Sequence, residues 1–181
     1  MAVATEQFTG VFNSDPSHSS FEFGVKHMKV ANFRSRFADV TAQLTGDDSG
    51  IKLVGSAQVD SISIQNPPEF RAHVVGAEFF DADNHPEIAF NSTGLDVADD
   101  GTLSLEGELT IRGITKPLTA KGEYQEPIED PYGFTRTAME LHATVDRRDF
   151  AMNWQAPLPK GGDVLGYDVD ISVHLELIKE A

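Results

Sequence analysis

The chain has 181 residues, 40% of them hydrophobic, with no cysteine and 29 acidic against 14 basic side chains, a formal net charge of −15. That length fits one domain, 1–181, able to bury roughly 70% of the surface its unfolded chain exposes. The charge repels phosphate backbones and anionic lipid headgroups and argues against nucleic acid unless a local basic patch overrides it, and the missing cysteines exclude disulfides, thiolate chemistry, Cys-based zinc sites and Fe–S clusters.

The opening, "MAVATEQFTGVF", lacks the charged and apolar regions of a signal peptide. No run approaches the roughly 18 apolar residues of a membrane span. The expectation is a cytoplasmic protein without stable membrane insertion. "DPSHSS" gathers Asp15, Ser17, His18 and Ser19. Neighbours on a strand point to opposite faces, so these groups do not converge as a catalytic triad by themselves. An Asx/Pro turn leading into a strand accounts for them.

Alternation then dominates. In "SFEFGVK", Phe21, Phe23 and Val25 share one face, opposite Glu22 and Lys26. The locally basic "KHMKVANFRSRF" follows, with Lys26, Lys29, Arg34 and Arg36. It reads either as a headgroup site, where arginine binds phosphate in two-pronged fashion, or as a solvated hairpin whose charges pair with nearby acids. In "IKLVGSAQV", Ile51, Leu53, Gly55, Ala57 and Val59 share a face. "PPEFRAHVVGAEFFD" breaks the pattern. Pro67 and Pro68 suit a first helical turn, Glu69 sits near its positive end, and Phe70, His73 and Val74 recur at helical spacing. The spacing predicts a short helix near 68–76, with Phe79 and Phe80 placed to plug a barrel end.

"TLSLEGELTIR" aligns Leu103, Leu105, Gly107, Leu109 and Ile111 against Glu106, Glu108 and Arg112. Across "RGITKP", Gly113 supplies unusual backbone angles and Pro117 belongs at a strand start or edge. Turn punctuation explains every residue there without an anion-binding loop. "LTAKGEY" turns Leu118, Ala120, Gly122 and Tyr124 inward, and "TAMELHATVD" groups Met139, Leu141, Ala143 and Val145. In "DRRDF", Asp146 and Asp149 are the local partners expected for Arg147 and Arg148. Phe150 and Trp154 either line a pocket or close the barrel floor. "VDISVHLEL" groups Val169, Ile171, Val173, Leu175 and Leu177.

Strands with one apolar and one charged face mark an antiparallel sheet wetted on one side. Several of them between turn signals, with runs long for a sandwich, predict a closed up-and-down barrel. The fold class is all-β. Inward Gly55, Ala57, Gly107, Ala120, Gly122 and Ala143 have two readings: they leave a ligand-sized lumen, or they ease corners and close strand approach. The six histidines include no metal-binding spacing, and His142 and His174 lie on the polar parity.

Several stretches, in order, resemble the YceI-like family of lipocalin-like polyisoprenoid-binding proteins. They are "DPSHSSFEFGVKHM", "FRSRF", "AEFFDADNHPEIAFNST", "GELTIRGITKPLT", "DPYGFTRTAMELHATVDRRDFAMNW" and "GYDVDISVHLEL", from about Asp15 to Leu177. The resemblance implies a lipocalin-like antiparallel barrel of about eight strands with a helix covering one end. It also implies an apolar pocket for an isoprenoid chain or similar lipid, no catalysis, no other cofactor, and homodimers in some relatives. Tyr132, Ala151, Ala72 and His142 depart from the family pattern, which bears on the ligand and not on the fold.

The function expected is binding, storage or transport of a hydrophobic small molecule. The lumen residues expected are Phe21, Phe23, Val25, Phe33, Phe37, Leu105, Leu109, Met139, Leu141, Val145, Phe150, Trp154, Val169, Ile171 and Val173. His18, Arg34 and Arg36 are the candidate headgroup contacts, and no metal site is expected. The alternatives are a ligand-free structural or dimerisation barrel and a lipid-modifying enzyme using His18 or His142.

Overall fold

The computed structural model describes residues 6–181. Ten strands join one antiparallel sheet: β1 (Gly10–Ser14), β2 (Ser20–His27), β3 (Ala31–Phe37), β4 (Val40–Asp47), β5 (Gly50–Gln58), β6 (Glu87–Val97), β7 (Thr102–Ile111), β8 (Ile114–Glu129), β9 (Thr135–Asp146) and β10 (Leu165–Lys179). They make eight staves. β1 and β2 pair in succession along β10, and their other edges pair with β4 and β3. So β1–β2 is one long bent strand and β3–β4 another. β10 joins β9 on one side and β1–β2 on the other, which closes the ring. The expected eight-stave up-and-down barrel is the observed fold.

The bends have local causes. Pro16 interrupts the first stave, and Asp15 Oδ1 accepts the Ser17 N–H at 2.9 Å. In the second, Ser61 Oγ accepts the N–H groups of Ala38 and Asp39 at 3.1 and 3.0 Å. Elsewhere the two-residue period sets the wall. Leu103, Leu105, Leu109 and Ile111 of β7 are buried while Glu106 and Glu108 face water. Each such leucine contributes about 1.5–3 kcal/mol by leaving water.

The two ends differ. The lower end is closed by Phe8 and Phe12, both fully buried. Phe8 meets the Tyr124 ring edge-on at 5.3 Å, and the Tyr124 hydroxyl donates to the Ala98 carbonyl at 3.2 Å. At the upper end β5 stops at Gln58, and residues 59–86 cross the opening before β6 begins. This crossing carries a 3-10 turn over Val59–Ser61 and one α-helix, α1 (Pro68–Val75), where the Pro-Pro signal placed it. Its last residue is Val75, and Gly76 follows in extended backbone. Phe80 plugs the opening, packing edge-on against Phe23 and Phe37 at 5.9 and 5.4 Å.

The β7–β8 connection is a two-residue turn with Arg112 and Gly113 both in the left-handed region, at φ 53° and 70°. That matches the twist of the flanking strands. Pro117 lies in the part of β8 beyond its pairing with β9, which ends at Lys121 opposite His142, so its missing N–H breaks no ladder there. Arg112 adds something its outward parity did not suggest. Its Nη1 reaches over the rim and donates to the carbonyls of Phe79 and Ala151, at 2.8 and 3.1 Å. Among the described residues, no helix is long and apolar enough to cross a membrane.

Candidate functional site: a two-chambered apolar lumen

Inside the barrel lie two chambers that share Phe21, Ile88 and Ile171 in their walls. The lower one, about 90 Å³, is bounded by Leu53, Leu105, Leu109, Leu141 and Val173. The upper one, about 180 Å³, is bounded by Phe23, Val25, Phe33, Val145, Phe150, Trp154 and Val169, with Val74 and Phe79 from the helical crossing. An apolar cavity of roughly 150 Å³ stays dry and accepts a benzene, about 25 Å³ per carbon. On that scale the chambers have room for roughly four and seven carbons, about two isoprene units.

Of the sequence-based lumen candidates, Phe37 and Met139 line neither chamber. Phe37 is fully buried because Phe21 stacks on it at 5.4 Å and Phe80 caps it, so its ring is wall packing. Met139, also buried, sits lower in the barrel beside Leu175. The others line one chamber or both. Phe150 and Trp154 line the upper chamber, which answers which of their two roles they take.

The small inward residues divide. Gly55, Ala57, Ala120 and Ala143 border the lower chamber. Gly107 and Gly122 do not make space. A Cβ on Gly107 would strike the Phe90 ring, and one on Gly122 would fall on the Glu140 carbonyl oxygen. The first four thus border open volume, and the two glycines permit close approach of neighbouring groups.

The mouth is framed by three segments. The β2–β3 turn is tied to the loop before β10 by the Met28 N–H to the Val164 carbonyl at 2.6 Å. From α1, Phe70 packs edge-on against Phe33 at 5.4 Å. Beside it the His73 ring lies edge-on to both Phe79 and Trp154, at 5.1 Å each, with its Nε2 2.9 Å from Glu78 Oε2. Sequence reasoning assigned Phe70, His73 and Val74 to a helix and missed that the helix turns His73 and Val74 into the lumen wall.

Arg147 departs from expectation. It was expected to pair with Asp146 or Asp149, yet it is only 2% exposed and turns inward. Its guanidinium donates to the carbonyls of Met152 at 2.5 Å and Gly166 at 2.7 Å, and stacks near Tyr167. Burial lowers its pKa. It staples the loop 152–165 to the barrel rim. Arg148 does take Asp146, by two-pronged contact, and that partner holds Asp146 down at about 2.

The polar candidates turn their side chains outward, although His142 borders the lower chamber between Leu141 and Ala143 of β9. His18 is on the outer wall at the bend, its Nδ1 3.1 Å from Asp15 Oδ2. Asp15, His18 and Glu176 converge closely enough to resemble a metal site. Arg136 fills that role instead, with Nη1 3.0 Å from Asp15 Oδ2 and 2.6 Å from Glu176 Oε1, and Nε 2.6 Å from Asp130 Oδ2. The fixed guanidinium charge opposes a second cation there. Hydrogen bonds from His18, the Ser17 N–H and Arg136 lower Asp15 to about 2. The imidazole of His142 is half exposed outside the barrel, bonded to Ser172 Oγ and Glu140 at 3.1 Å each. Arg34 and Arg36 point to solvent from β3.

Comparison with known proteins agrees with this geometry. A family model described as the YceI-like domain matches residues 12–177. A UPF0312 protein of Vibrio campbellii is 27% identical over 178 residues, covering 94% of this chain and 87% of that protein. Among solved structures, BcnA of Burkholderia cenocepacia superposes with a TM-score of 0.73 at 18% identity, over 90% of this chain and 98% of that one. A polyisoprenoid binding domain from Saccharophagus degradans, implicated in plant cell wall breakdown, gives a TM-score of 0.70 at 11% identity, over 95% and 99%. At these identities the structural likeness concerns the fold.

Proposed function

The chain belongs to the YceI-like family, and we propose that it binds and carries a long apolar ligand in the two-chambered lumen without altering it. The ligand class is a polyisoprenoid, an isoprenoid quinone or a similar lipid. The observation that carries this reading is the pair of chambers walled almost wholly by aliphatic and aromatic side chains, adjoining at Phe21, Ile88 and Ile171. Apolar burial drives binding, at roughly 0.8 kcal/mol per CH₂. About ten carbons fit at the present volume, so a longer chain keeps its remainder at or beyond the mouth. Catalysis has little support: His18 is bonded to Asp15 on the outer wall, His142 is half exposed and held by Ser172 and Glu140, and His73 is held between two aromatic rings and Glu78.

The test is native mass spectrometry of freshly purified protein, with solvent extraction, followed by titration with farnesol. Trp154 is the only tryptophan and borders the upper chamber, so its emission reports occupancy directly. A bound mass that extracts as an isoprenoid, or a saturable change in Trp154 emission, supports the reading. Apo protein that takes up neither farnesol nor a longer polyprenol overturns it in favour of a ligand-free barrel.

A further inference from the structure

We propose that the β2–β3 hairpin is a docking tip for an anionic lipid bilayer, through which the lumen exchanges its ligand. The inference builds on the lipid-carrier reading and stands on three separate observations.

The first is exposed apolar surface at the tip. Met28 is 46% exposed and Val30 82%. Phe70, 37% exposed, lies beside them on Phe33 at the same rim.

The second is charge. From Phe23 to Ala38 there is no acidic residue, while Lys26, Lys29, Arg34 and Arg36 are all exposed. Among the described residues, none of the four is within ion-pairing distance of a carboxylate. The remaining arginines are engaged: Arg71, Arg136 and Arg148 with carboxylates, Arg112 and Arg147 with backbone carbonyls. In a chain of net charge −15 this corner gathers four basic side chains without a carboxylate partner, of which Lys29 donates to the Gly161 carbonyl at 3.3 Å. An anionic surface repels the rest of the molecule and attracts this corner, which sets the orientation of approach.

The third is backbone conformation. Met28 and Lys29 both adopt positive φ, 49° and 60°, in a tight turn closed by the Val30 N–H to the His27 carbonyl at 3.1 Å. Asn-Gly is the usual solution for such a turn. Placing Met and Lys there costs conformational energy while Met28 stays 46% exposed, and such strain gathers at functional sites.

Apolar tip residues flanked by lysines suit a headgroup layer better than an acidic protein surface. Met28 and Val30 reach toward the acyl boundary, and the lysine stems bury hydrocarbon while their ammonium groups stay at phosphate level. At about 3.3 Å per residue, Lys26 and Arg34 lie roughly 7–13 Å behind the tip. Lys26 therefore lies within the Debye length of about 8 Å at physiological salt, and Arg34 beyond it, where screening is strong. Each basic residue near an anionic membrane strengthens binding about fivefold. The attachment is reversible, as a carrier requires.

The experiment is co-sedimentation of the full chain with vesicles of phosphatidylglycerol mixed with phosphatidylcholine, against phosphatidylcholine alone, at low and high salt. Binding only to the phosphatidylglycerol vesicles, weakened by salt, is expected. Lys26→Glu with Lys29→Glu should weaken it by well over tenfold, and Met28→Ser with Val30→Ser should also release the protein. Unchanged far-UV circular dichroism and melting confirm that the variants fold. No binding at low salt, binding insensitive to both double substitutions, or capture by polyglutamate but not by vesicles would each overturn the proposal. Farnesol titration without vesicles separates the two readings. Normal occupancy with no vesicle binding removes the docking tip alone, and vesicle binding without occupancy removes the carrier alone.

Discussion

Filling the lower chamber should strengthen the empty barrel and weaken ligand binding at once. Ala57 borders that chamber from β5 and is 4% exposed. Ala57→Leu adds three carbons to a space that holds roughly four at about 25 Å³ each. If empty volume costs about 24 cal/mol per Å³, the 90 Å³ chamber represents about 2 kcal/mol recoverable by filling. Three carbons denied to the ligand remove about 2.4 kcal/mol of binding at 0.8 per CH₂, close to sixtyfold in affinity. Urea denaturation of ligand-free protein reads the first effect, and farnesol titration on Trp154 emission reads the second. Ala120→Leu, from β8 on the same chamber, is an independent version of the same test. A folded variant that binds farnesol as tightly as the parent would show that the ligand does not enter the lower chamber. A lower urea midpoint in both variants would show that the chamber has no usable space, since overpacking costs about 1–3 kcal/mol.

Three further outcomes are expected. Asp15 has its pKa lowered to about 2 from an ordinary 3.8, first by His18, then by the Ser17 N–H and Arg136. Its contribution to stability is full above pH 4 or so and is lost as pH falls toward about 2, so Asp15→Asn should flatten the acid limb of a stability–pH profile and have a smaller relative effect at the lowest pH. Arg147→Met leaves the Met152 and Gly166 carbonyls without their donor inside the rim, at about 1–3 kcal/mol per group. It should lower the melting temperature and red-shift Trp154 as the loop loosens. Gly122→Ala forces a Cβ onto the Glu140 carbonyl. It should destabilise the barrel by several kcal/mol in denaturant melts, whereas Gly94→Ala, with nothing within 4 Å, should be nearly silent.

The strands with strict alternation were legible because one face of each is buried and a register slip would turn it to water. β7 is the clearest case. β6 was harder to read: its alternation is broken by a bulge between Ser92 and Gly94. β3 places the polar Ser35 inward, where its hydroxyl meets Ser63 Oγ at 3.0 Å. The chamber walls were legible for the same reason as the strands, since parity on a barrel is also lumen against solvent. Parity says nothing of height along the stave, so Met139 read like Leu141 although only Leu141 reaches a chamber. The inward turn of Arg147 had no local signal. Its partners are backbone carbonyls, which every residue possesses, and the nearby aspartates made a surface pair the natural reading. His73 was hidden because its place in the wall depends on how α1 sits across the rim.

Ring closure has a consequence for how the molecule is made. Phe12 sits opposite Lys179, so the seam joins the first strand to the last. During synthesis β1 through β9 emerge as an open curved sheet with an apolar concave face and unpaired margins. Nothing completes the wall until β10 leaves the ribosome, because β10 alone borders both β9 and the β1–β2 stave. Such long-range closure is slow, and exposed margins invite pairing between nascent chains. A stop codon before β10 therefore does more than shorten the product: it leaves two open edges and a half-pipe where a container should be, a substrate for chaperones and proteases.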